Sequence, residues 1–192
     1  MQLVFATNNP NKLKEVQSLI QNDIQLLSLE DIGFNEDIPE TQNTIEGNAI
    51  QKAEFLKNNY GYDCFADDTG LEVQALNGEP GVYSARYAGA QRNAEDNMNK
   101  ILQYLETHHN RKAQFKTVIA LHLNGTLHTF TGICKGEITT AKQGSGGFGY
   151  DSIFKADGYD RTFAEISMEE KNRIGHRGKA VKLLVEFLTK NH

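Results

Sequence analysis

The sequence predicts an α/β protein with a central mixed, mainly elongated β-sheet that is flanked by helices. Apolar segments with strand character alternate along the chain with segments whose apolar residues recur at helical spacing, a pattern typical of α/β folds. Two strand-like segments, residues 113–123 and 127–138, flank Asn124–Gly125, a dipeptide that strongly favours a hairpin turn. Since 39% of the 192 residues are hydrophobic, the chain can form a core, and we predict a single domain over residues 1–192 that contains a cleft.

The boundaries of the elements follow from local signals. The predicted strands cover residues 2–6, 25–29, 63–66, 71–75, 113–123 and 127–138, and the predicted helices cover residues 10–21, 43–60, 94–107 and 176–190. Pro10 suits the first position of a helix, where its missing N–H costs nothing. Asn43 with Glu46, and Ser167 with Glu170, have the spacing of capping boxes, so each pair predicts a helix start. The last helix is expected to bury an apolar face made of Ala180, Leu183, Leu184, Phe187 and Leu188.

Composition and charge argue against several classes of protein. The net charge of −5 disfavours a nucleic-acid-binding protein, because phosphate contacts favour a basic surface. The N-terminal segment has no signal-peptide pattern and no apolar stretch is long enough to cross a bilayer, so we expect a cytoplasmic protein with no membrane association. Cys64 and Cys134 lack metal-ligand spacing and are expected to be reduced thiols, and no pair of histidines has the spacing of a zinc site.

The first candidate for chemistry is the predicted turn between the first strand and the first helix. It consists of Thr7, Asn8, Asn9, Pro10, Asn11 and Lys12. Backbone N–H groups at a helix N-terminus, together with a lysine one turn into the helix, form a natural binding site for phosphate. The segment by itself is also explained by an ordinary turn, because asparagine is common in turns and the Walker glycine pattern is absent.

The second candidate is the acidic pair Asp67–Asp68, which the pattern places in a turn after a predicted strand. If the strand continues, the two carboxylates point to opposite faces of the sheet, and one of them can face a cleft. An acidic pair beside a phosphate site suits magnesium-assisted phosphoryl chemistry, in which a cation bridges carboxylate and phosphate oxygens and a carboxylate orients the attacking water. Glu40, in the acidic loop over residues 30–42, is a second possible ligand. The alternatives are an acidic turn and a solvated acidic face.

Two further segments combine glycine, aromatic and basic residues. Gly144–Asp151 has the letters of a dinucleotide-binding fingerprint but leads into an apolar segment instead of a helix. Its glycines are better explained by close approach to a ligand, with Phe148 and Tyr150 available to stack on a base, or by a glycine-rich loop around core aromatics. Residues 169–180 place cations at the start of a helix, where they are unfavourable, and such a conflict often marks a functional site. These cations are Lys171, Arg173, His176, Arg177 and Lys179.

The chain resembles the inosine triphosphate pyrophosphatase family, also called the XTP/dITP diphosphatases, in segments that occur in this order: ATNNPNK, PETQNTIEGNA, ADDTGLEV, GEPGVYSARYAG, GGFGYDSIF and AEISMEEKNRIGHRGKA. The resemblance runs from Leu3 nearly to the C-terminus. It implies an ITPase-like fold of two lobes with a nucleotide cleft between them, and a homodimer. It also implies hydrolysis of non-canonical purine nucleotides (ITP, dITP, XTP) to the nucleoside monophosphate and diphosphate, which cleanses the nucleotide pool, with Mg²⁺ as the cofactor.

The resemblance also implies roles for individual residues. Asp68 is implied as the catalytic carboxylate and as a ligand of Mg²⁺, and Glu40 as a further ligand. Contacts with the triphosphate are implied for Thr7, Asn8, Asn9, Pro10, Asn11, Lys12 and Thr69, and contacts with the base, sugar and phosphates for Phe148, Gly149, Tyr150, Asp151, Lys171, His176 and Arg177. Lys52 is a lesser candidate for a phosphate contact. Gly175 stands where the family more often has serine, so it supplies no hydroxyl to cap the last helix.

Base selectivity has a physical explanation in these residues. The guanidinium of Arg177 offers only hydrogen-bond donors, which suit the keto oxygen of hypoxanthine and xanthine but not the amine of adenine, and Asp151 can accept from the ring N–H. This contrast separates adenine from the other bases but does not exclude guanine. No nucleophile elbow or activated cysteine is present, so direct attack by water is favoured.

Two alternatives to this function stay open. The first is a Maf-type nucleotide pyrophosphatase of different base preference, against which the GHRG segment argues. The second is a non-catalytic nucleotide-binding module, which would keep the lysines but lose the acidic pair. Asp67 and Asp68 are both present, so an enzyme is the better interpretation.

Overall fold

The computed structural model describes residues 1–20 and 24–191 of the chain. Within these residues, six strands form one sheet in the order β2-β1-β3-β4-β5-β6. The strands are β1 Gln2–Phe5, β2 Gln25–Leu27, β3 Cys64–Val73, β4 Lys112–Leu123, β5 Thr126–Ile138 and β6 Phe154–Ala156, and the helices are α1 Pro10–Gln17, α2 Ile45–Tyr60, α3 Ala94–Tyr104, α4 Met168–Ile174 and α5 His176–Lys190. β1 is parallel to β2 and β3, whereas β6 is antiparallel to β5, which confirms the predicted α/β fold with a mixed sheet.

One predicted feature is wrong in a way that matters for the site. Asp67–Asp68 does not form a turn, because β3 runs without interruption through both residues to Val73. The two short strands predicted over residues 63–66 and 71–75 are therefore parts of one long strand. The acidic pair looked like a turn because aspartate is depleted in strands, and tertiary partners of these two carboxylates override that preference.

The helix ends agree with their capping signals to within a few residues. Thr44, and not Asn43, caps α2, since its side chain accepts a hydrogen bond from the N–H of the third helical residue. Ser167 caps α4 as predicted, in the same manner. α1 ends at Gln17. Its predicted end, residue 21, lies outside the described residues.

The chain divides into two compact units. Unit 1 consists of Met1–Asp68, Thr117–Gly132 and Arg177–His192, and unit 2 consists of Thr69–Lys116 and Ile133–His176. In unit 1, Phe5 and Phe65 are paired across β1 and β3, and their rings stack at 4.5 Å in the core. In unit 2, Phe115 packs on Phe154 at 4.7 Å between ring centres. In the part of the chain that the structure describes, no helix is both long and apolar enough to cross a membrane.

The register of the parallel strands brings the predicted site segments together. β1 lies between β2 and β3; its carboxyl end lies beside the end of β2 and beside the first residues of β3, where Phe5 pairs with Phe65. Two residues beyond this pair, the chain reaches Thr7 on one side and Asp67 on the other. The carboxyl edge where a parallel sheet changes direction is where open α/β folds bind ligands.

Two neighbouring leucines in α5 provide a test of this packing. Helical spacing predicts both to be buried, but Leu184 is 0% exposed and Leu183 is 43% exposed. Leu184→Ala should lower the free energy of unfolding by about 2–5 kcal/mol, because it leaves a cavity in the core of unit 1. Leu183→Ala is the matched control and should cost no more than about 1 kcal/mol. Denaturant titration measures both losses, and equal losses would contradict the assigned faces of α5.

Candidate active site

The turn between β1 and α1 is ordered by its own polar side chains. The side chain of Asn9 caps α1 and accepts hydrogen bonds from the N–H groups of Asn11 and Lys12, at 3.0 and 3.3 Å. Thr7 Oγ1 accepts from the N–H of Asn9 at 3.2 Å, and Asn8 Nδ2 donates to a backbone oxygen of the acidic loop. Because the cap takes two of the N–H groups that an anion would use, the ammonium of Lys12 is the main positive group of this turn.

The two adjacent aspartates of β3 point to opposite faces of the sheet. Asp67 forms ion pairs with Lys12 of α1 and Arg177 of α5, at 3.0 and 3.2 Å. Asp68 accepts a hydrogen bond from Asn48 of α2 and lies near Lys52 of the same helix. Successive side chains of a strand alternate between faces, so α1 and α5 cover one face in unit 1 and α2 covers the other.

Lys12, Glu15, Asp67 and Arg177 form the first group of charges, which we call the Asp67 cluster. Arg177 links its two carboxylates, since Nε donates to Asp67 and Nη1 donates to Glu15. Glu15, Asp67 and Arg177 are each at most 5% exposed, and the side chain of Lys12 is 14% exposed. Two positive and two negative side chains thus balance in the interior, where an unpaired charge would be costly.

Electrostatics within the Asp67 cluster favours a permanently ionised Asp67. Burial alone would raise the pKa of the Asp67 carboxyl, but the charges of Lys12 and Arg177 outweigh it and hold the pKa well below its usual value. Burial lowers the pKa of the Lys12 ammonium, and Asp67 opposes that shift only in part. An arriving polyanion would favour the charged form of Lys12. Asp67 is therefore a fixed negative charge that holds two cations in place.

Glu40, Asn48, Lys52 and Asp68 form the second group, which we call the Asp68 cluster. Lys52 Nζ lies 2.5 Å from Glu40 Oε1 and 3.9 Å from Asp68 Oδ1, so two carboxylates meet at one cation. Burial raises the pKa of the Asp68 carboxyl, and Lys52 offsets this effect incompletely, so the pKa stays above its usual value. A buried carboxylate with a raised pKa is suited to accept a proton.

The donor atoms of the Asp68 cluster fit a magnesium ion that is shared with a phosphate group. Mg²⁺ is usually held by one or two carboxylates together with water and substrate phosphates. Glu40 and Asp68 already converge on the position of one cation, the ammonium of Lys52. Among the described residues, no group of three His, Cys, Asp or Glu side chains is arranged to hold a metal. Two carboxylates of this cluster are therefore available to a cation, which would keep water or substrate oxygens as its other ligands.

A third group, the Lys171 cluster, lies in unit 2 and consists of Phe148, Asp151, Lys171 and His176. Asp151 Oδ2 accepts from Lys171 Nζ at 2.6 Å and from the N–H of Phe148 at 2.8 Å. Lys171 Nζ lies 4.6 Å from the centre of the Phe148 ring, a cation–π contact. The ring of His176 stacks on Phe115 at 4.5 Å. A half-buried aromatic ring beside an ammonium thus provides a surface for a planar, electron-rich ligand.

The glycine-rich segment that contains Phe148 and Asp151 has a structural role at two of its positions. A Cβ on Gly147 would lie 2.1 Å from Asp151 Oδ2, and Gly147 has a φ of +70°, so no side chain fits there. Tyr150 is 5% exposed and its hydroxyl donates to the backbone oxygen of Ser84, so its ring packs in the core and is not available to stack on a base. Gly149 and Thr69 are half-buried, and their contacts with substrate stay predictions.

Two residues of these clusters, Glu15 and Asn48, were not predicted from the sequence. Both have a spacing signal in hindsight, because Glu15 follows Lys12 by three residues on α1 and Asn48 precedes Lys52 by four on α2. Arg177 was predicted to read the base, but its Nε and Nη1 are bonded to carboxylates inside unit 1. Base reading by Arg177 stays a prediction.

The strongly ionised state of Asp67 predicts a pH-dependent effect of Asp67→Asn. The variant should lose about 3–5 kcal/mol of unfolding free energy near neutral pH, because two buried cations lose their partner. Since the folded pKa of Asp67 is depressed, its stabilisation is complete above the unfolded value of about 3.9 and is lost as pH falls towards the folded value. The difference in unfolding free energy between wild type and variant should therefore narrow below about pH 4. Denaturant titrations from neutral to acidic pH measure this gap, and a constant gap would contradict the assignment.

Comparison with known proteins identifies the family. The Ham1 family model matches residues 3–187. A dITP/XTP pyrophosphatase from Flavobacterium johnsoniae is 65% identical over 189 residues, which cover 98% of each chain. The solved structure of the Staphylococcus aureus Ham1 protein has a TM-score of 0.91 and 39% identity, with 100% of both chains covered. That of a HAM1 protein from Coxiella burnetii has a TM-score of 0.91 and 38% identity, with 99% of both covered. The resemblance in the sequence is thus confirmed, and this chain belongs to the Ham1 family.

Proposed function

We propose that this chain is a nucleoside triphosphate pyrophosphatase that hydrolyses the non-canonical purine nucleotides ITP, dITP and XTP to monophosphate and diphosphate. Membership of the Ham1 family supports the proposal, as do near-full-length relatives that bear the name dITP/XTP pyrophosphatase. The observation that carries the mechanism is the contrast between two adjacent carboxylates. Asp67 is locked between cations, whereas Asp68 lies beside Lys52 with a raised pKa.

The triphosphate is proposed to bind at Lys12 and Lys52. Although the two lysines approach β3 from opposite faces, the charges of Lys52 and Lys12 both act on Asp68 and lower the pKa of its carboxyl against the effect of burial, so a polyanion that binds to the two ammonium groups brings its phosphates to Asp68. Burial strengthens the attraction between each ammonium group and the phosphates, because water screens this attraction less than it does at the surface. The turn of Thr7 to Asn11 is proposed to contact the phosphates as well, and Thr69, the residue after Asp68, is proposed to assist.

Magnesium is the proposed cofactor, with Glu40 and Asp68 as its protein ligands. Bound to these carboxylates and to phosphate oxygens, the ion would neutralise charge on the triphosphate. Side chains of the protein carry out the other functions of the site. Lys12 and Lys52 hold the phosphates in position, and the buried surroundings of Asp68 restrict the access of other water molecules.

The proposed reaction is a direct attack by water on the α-phosphorus. Asp68 orients the water and accepts its proton while the bond from oxygen to phosphorus forms. The bond between the α-phosphorus and the oxygen bridging to the β-phosphorus breaks, and diphosphate leaves with that oxygen. The ammonium groups of Lys12 and Lys52 offset the charge that develops on the leaving group.

Base recognition is proposed for Phe148, His176 and the Lys171–Asp151 pair, and for Arg177. The Phe148 ring provides a stacking surface, and cationic donors suit the keto oxygen of hypoxanthine and xanthine. The family resemblance further supports the proposals that the protein is a homodimer and that it acts in the cytoplasm.

A product assay tests the proposed function. With Mg²⁺, the protein should release diphosphate and monophosphate from ITP and XTP, and much less from ATP and GTP. Chelation of the metal with EDTA should abolish the reaction, and added Mg²⁺ should restore it. Chromatography of the products distinguishes the outcomes. Release of inorganic phosphate alone would refute the proposed reaction, preference for other nucleotides would favour a Maf-type activity, and absence of any product would favour a binding module.

The variant Asp68→Asn tests the assigned roles. It should reduce kcat for ITP at least about 1000-fold, because the proton acceptor is lost while the shape of the side chain is kept. Affinity for a non-hydrolysable ITP analogue, measured by calorimetry, should change less than about tenfold. Asp63→Asn is the matched control, since Asp63 pairs with Lys57 and lies outside the Asp68 cluster. Wild-type turnover by Asp68→Asn would remove Asp68 from catalysis.

A further inference from the structure

We infer that Asn48 is a positioning residue for the reaction, which fixes the carboxylate of Asp68 and, through the same amide, the segment that carries Glu40. The inference rests on the proposed function, because it takes Asp68 as the catalytic carboxylate. The segment PETQNTIEGNA contains Asn48, but no role is implied for this residue by the sequence. Its position in the structure implies one.

Asn48 is 1% exposed and uses both ends of its amide. Nδ2 donates to Asp68 Oδ2 at 3.2 Å, and Oδ1 accepts from the backbone N–H of Gln42 at 2.9 Å. These partners define the orientation of the amide, because a backbone N–H can only donate and an ionised carboxylate can only accept. A buried amide with both ends bonded has little freedom to rotate, so its partners are held as well.

The bond to Asn48 sets the direction in which Asp68 points. Asp68 Oδ2 is bonded to the amide, while Oδ1 lies 3.9 Å from Lys52 Nζ, where Glu40 also meets that ammonium. Asn48 and Lys52 are four residues apart on α2 and share one face of the helix. The rigid helix thus presents one neutral donor and one cation to the two oxygens of a single carboxylate. Oδ1 is held towards the position where the proposed metal and phosphates bind.

The other end of the amide ties down the acidic segment over residues 40–42. Three side chains of α2 each bind one residue of this segment. Lys52 pairs with Glu40, and Asn48 accepts from the N–H of Gln42. Gln51 holds the segment through Thr41, with bonds of 2.9 and 2.8 Å. Asn48 couples the segment directly to Asp68, because one side chain bonds both to that carboxylate and to the backbone two residues after Glu40.

Three variants separate alignment of Asp68 from tethering of the segment. Asn48→Asp keeps the acceptor for the N–H of Gln42 but replaces the donor to Asp68 by a like charge. Asn48→Ala removes both bonds. Gln51→Ala is the matched control from the same helix, because it loosens the segment at Thr41 and leaves Asn48 in place.

Steady-state kinetics with ITP and Mg²⁺, together with thermal unfolding of each variant, test the inference. We expect Asn48→Asp and Asn48→Ala to lower kcat by on the order of 10- to 100-fold, the effect of losing one hydrogen bond to a charged group, with KM changed less than about threefold. Gln51→Ala should lower kcat by clearly less than either Asn48 variant, because it leaves the bond from Asn48 to Asp68 in place, even where its unfolding midpoint falls as far. A purely structural role would instead lower the unfolding midpoint and leave kcat per folded molecule unchanged.

The outcomes distinguish this inference from the proposed function. Wild-type kcat in a folded Asn48 variant would overturn the inference, as would a loss in Gln51→Ala equal to that in Asn48→Ala. If Asn48→Asp does not fold, Asn48→Ala decides the question by the same criteria. Asp68→Asn is assayed in parallel. If it is inactive while the Asn48 variants are active, only the inference fails, whereas an active Asp68→Asn overturns the catalytic assignment and the inference with it.

Discussion

The burial of the Asp67 carboxylate between Lys12 and Arg177 is the interaction on which the rest of unit 1 depends. Asp67 is 1% exposed, and a carboxylate at that depth is tolerable only with opposite charges in contact with it. The two cations come from the first turns of α1 and α5, and Glu15 balances the second of them. The starts of both helices are therefore held at the same point of β3, beside the carboxyl end of β1.

Because successive side chains of a strand point to opposite faces, Asp68 lies on the face of β3 opposite to Asp67. Asp68 meets α2 there, where Asn48 and Lys52 provide one neutral donor and one cation at a longer distance. Two chemically identical side chains thus acquire opposite properties: the pKa of Asp67 is lowered and that of Asp68 is raised. Adjacent carboxyl groups whose pKa values are driven apart suit different roles, a fixed charge and a proton acceptor.

Much of the fold was predictable because it rests on local signals. Apolar segments located β1, β2, β4 and β5, Asn124–Gly125 located the hairpin, and Ser167 located the start of α4, whereas β6 was not predicted. Errors occurred where a tertiary contact overrides a local preference. β3 continues through Asp67–Asp68 because buried cations compensate its aspartates, and Leu183 is exposed because α5 buries only one side. Neither fact can be read from residue spacing.

The sequence by itself determined which chemical groups are available: a lysine after β1, an acidic pair, a glycine and aromatic segment, and a basic segment before α5. The order of these motifs also indicated the family, since motifs and their order are properties of the sequence and need no tertiary structure. Only the tertiary structure decided how the groups are paired. It placed Arg177 against Asp67 and Glu15, 110 and 162 residues away along the chain, and it brought Asn48 to Asp68. Such pairings depend on strand register and on the faces of packed helices, which link residues that no local pattern connects.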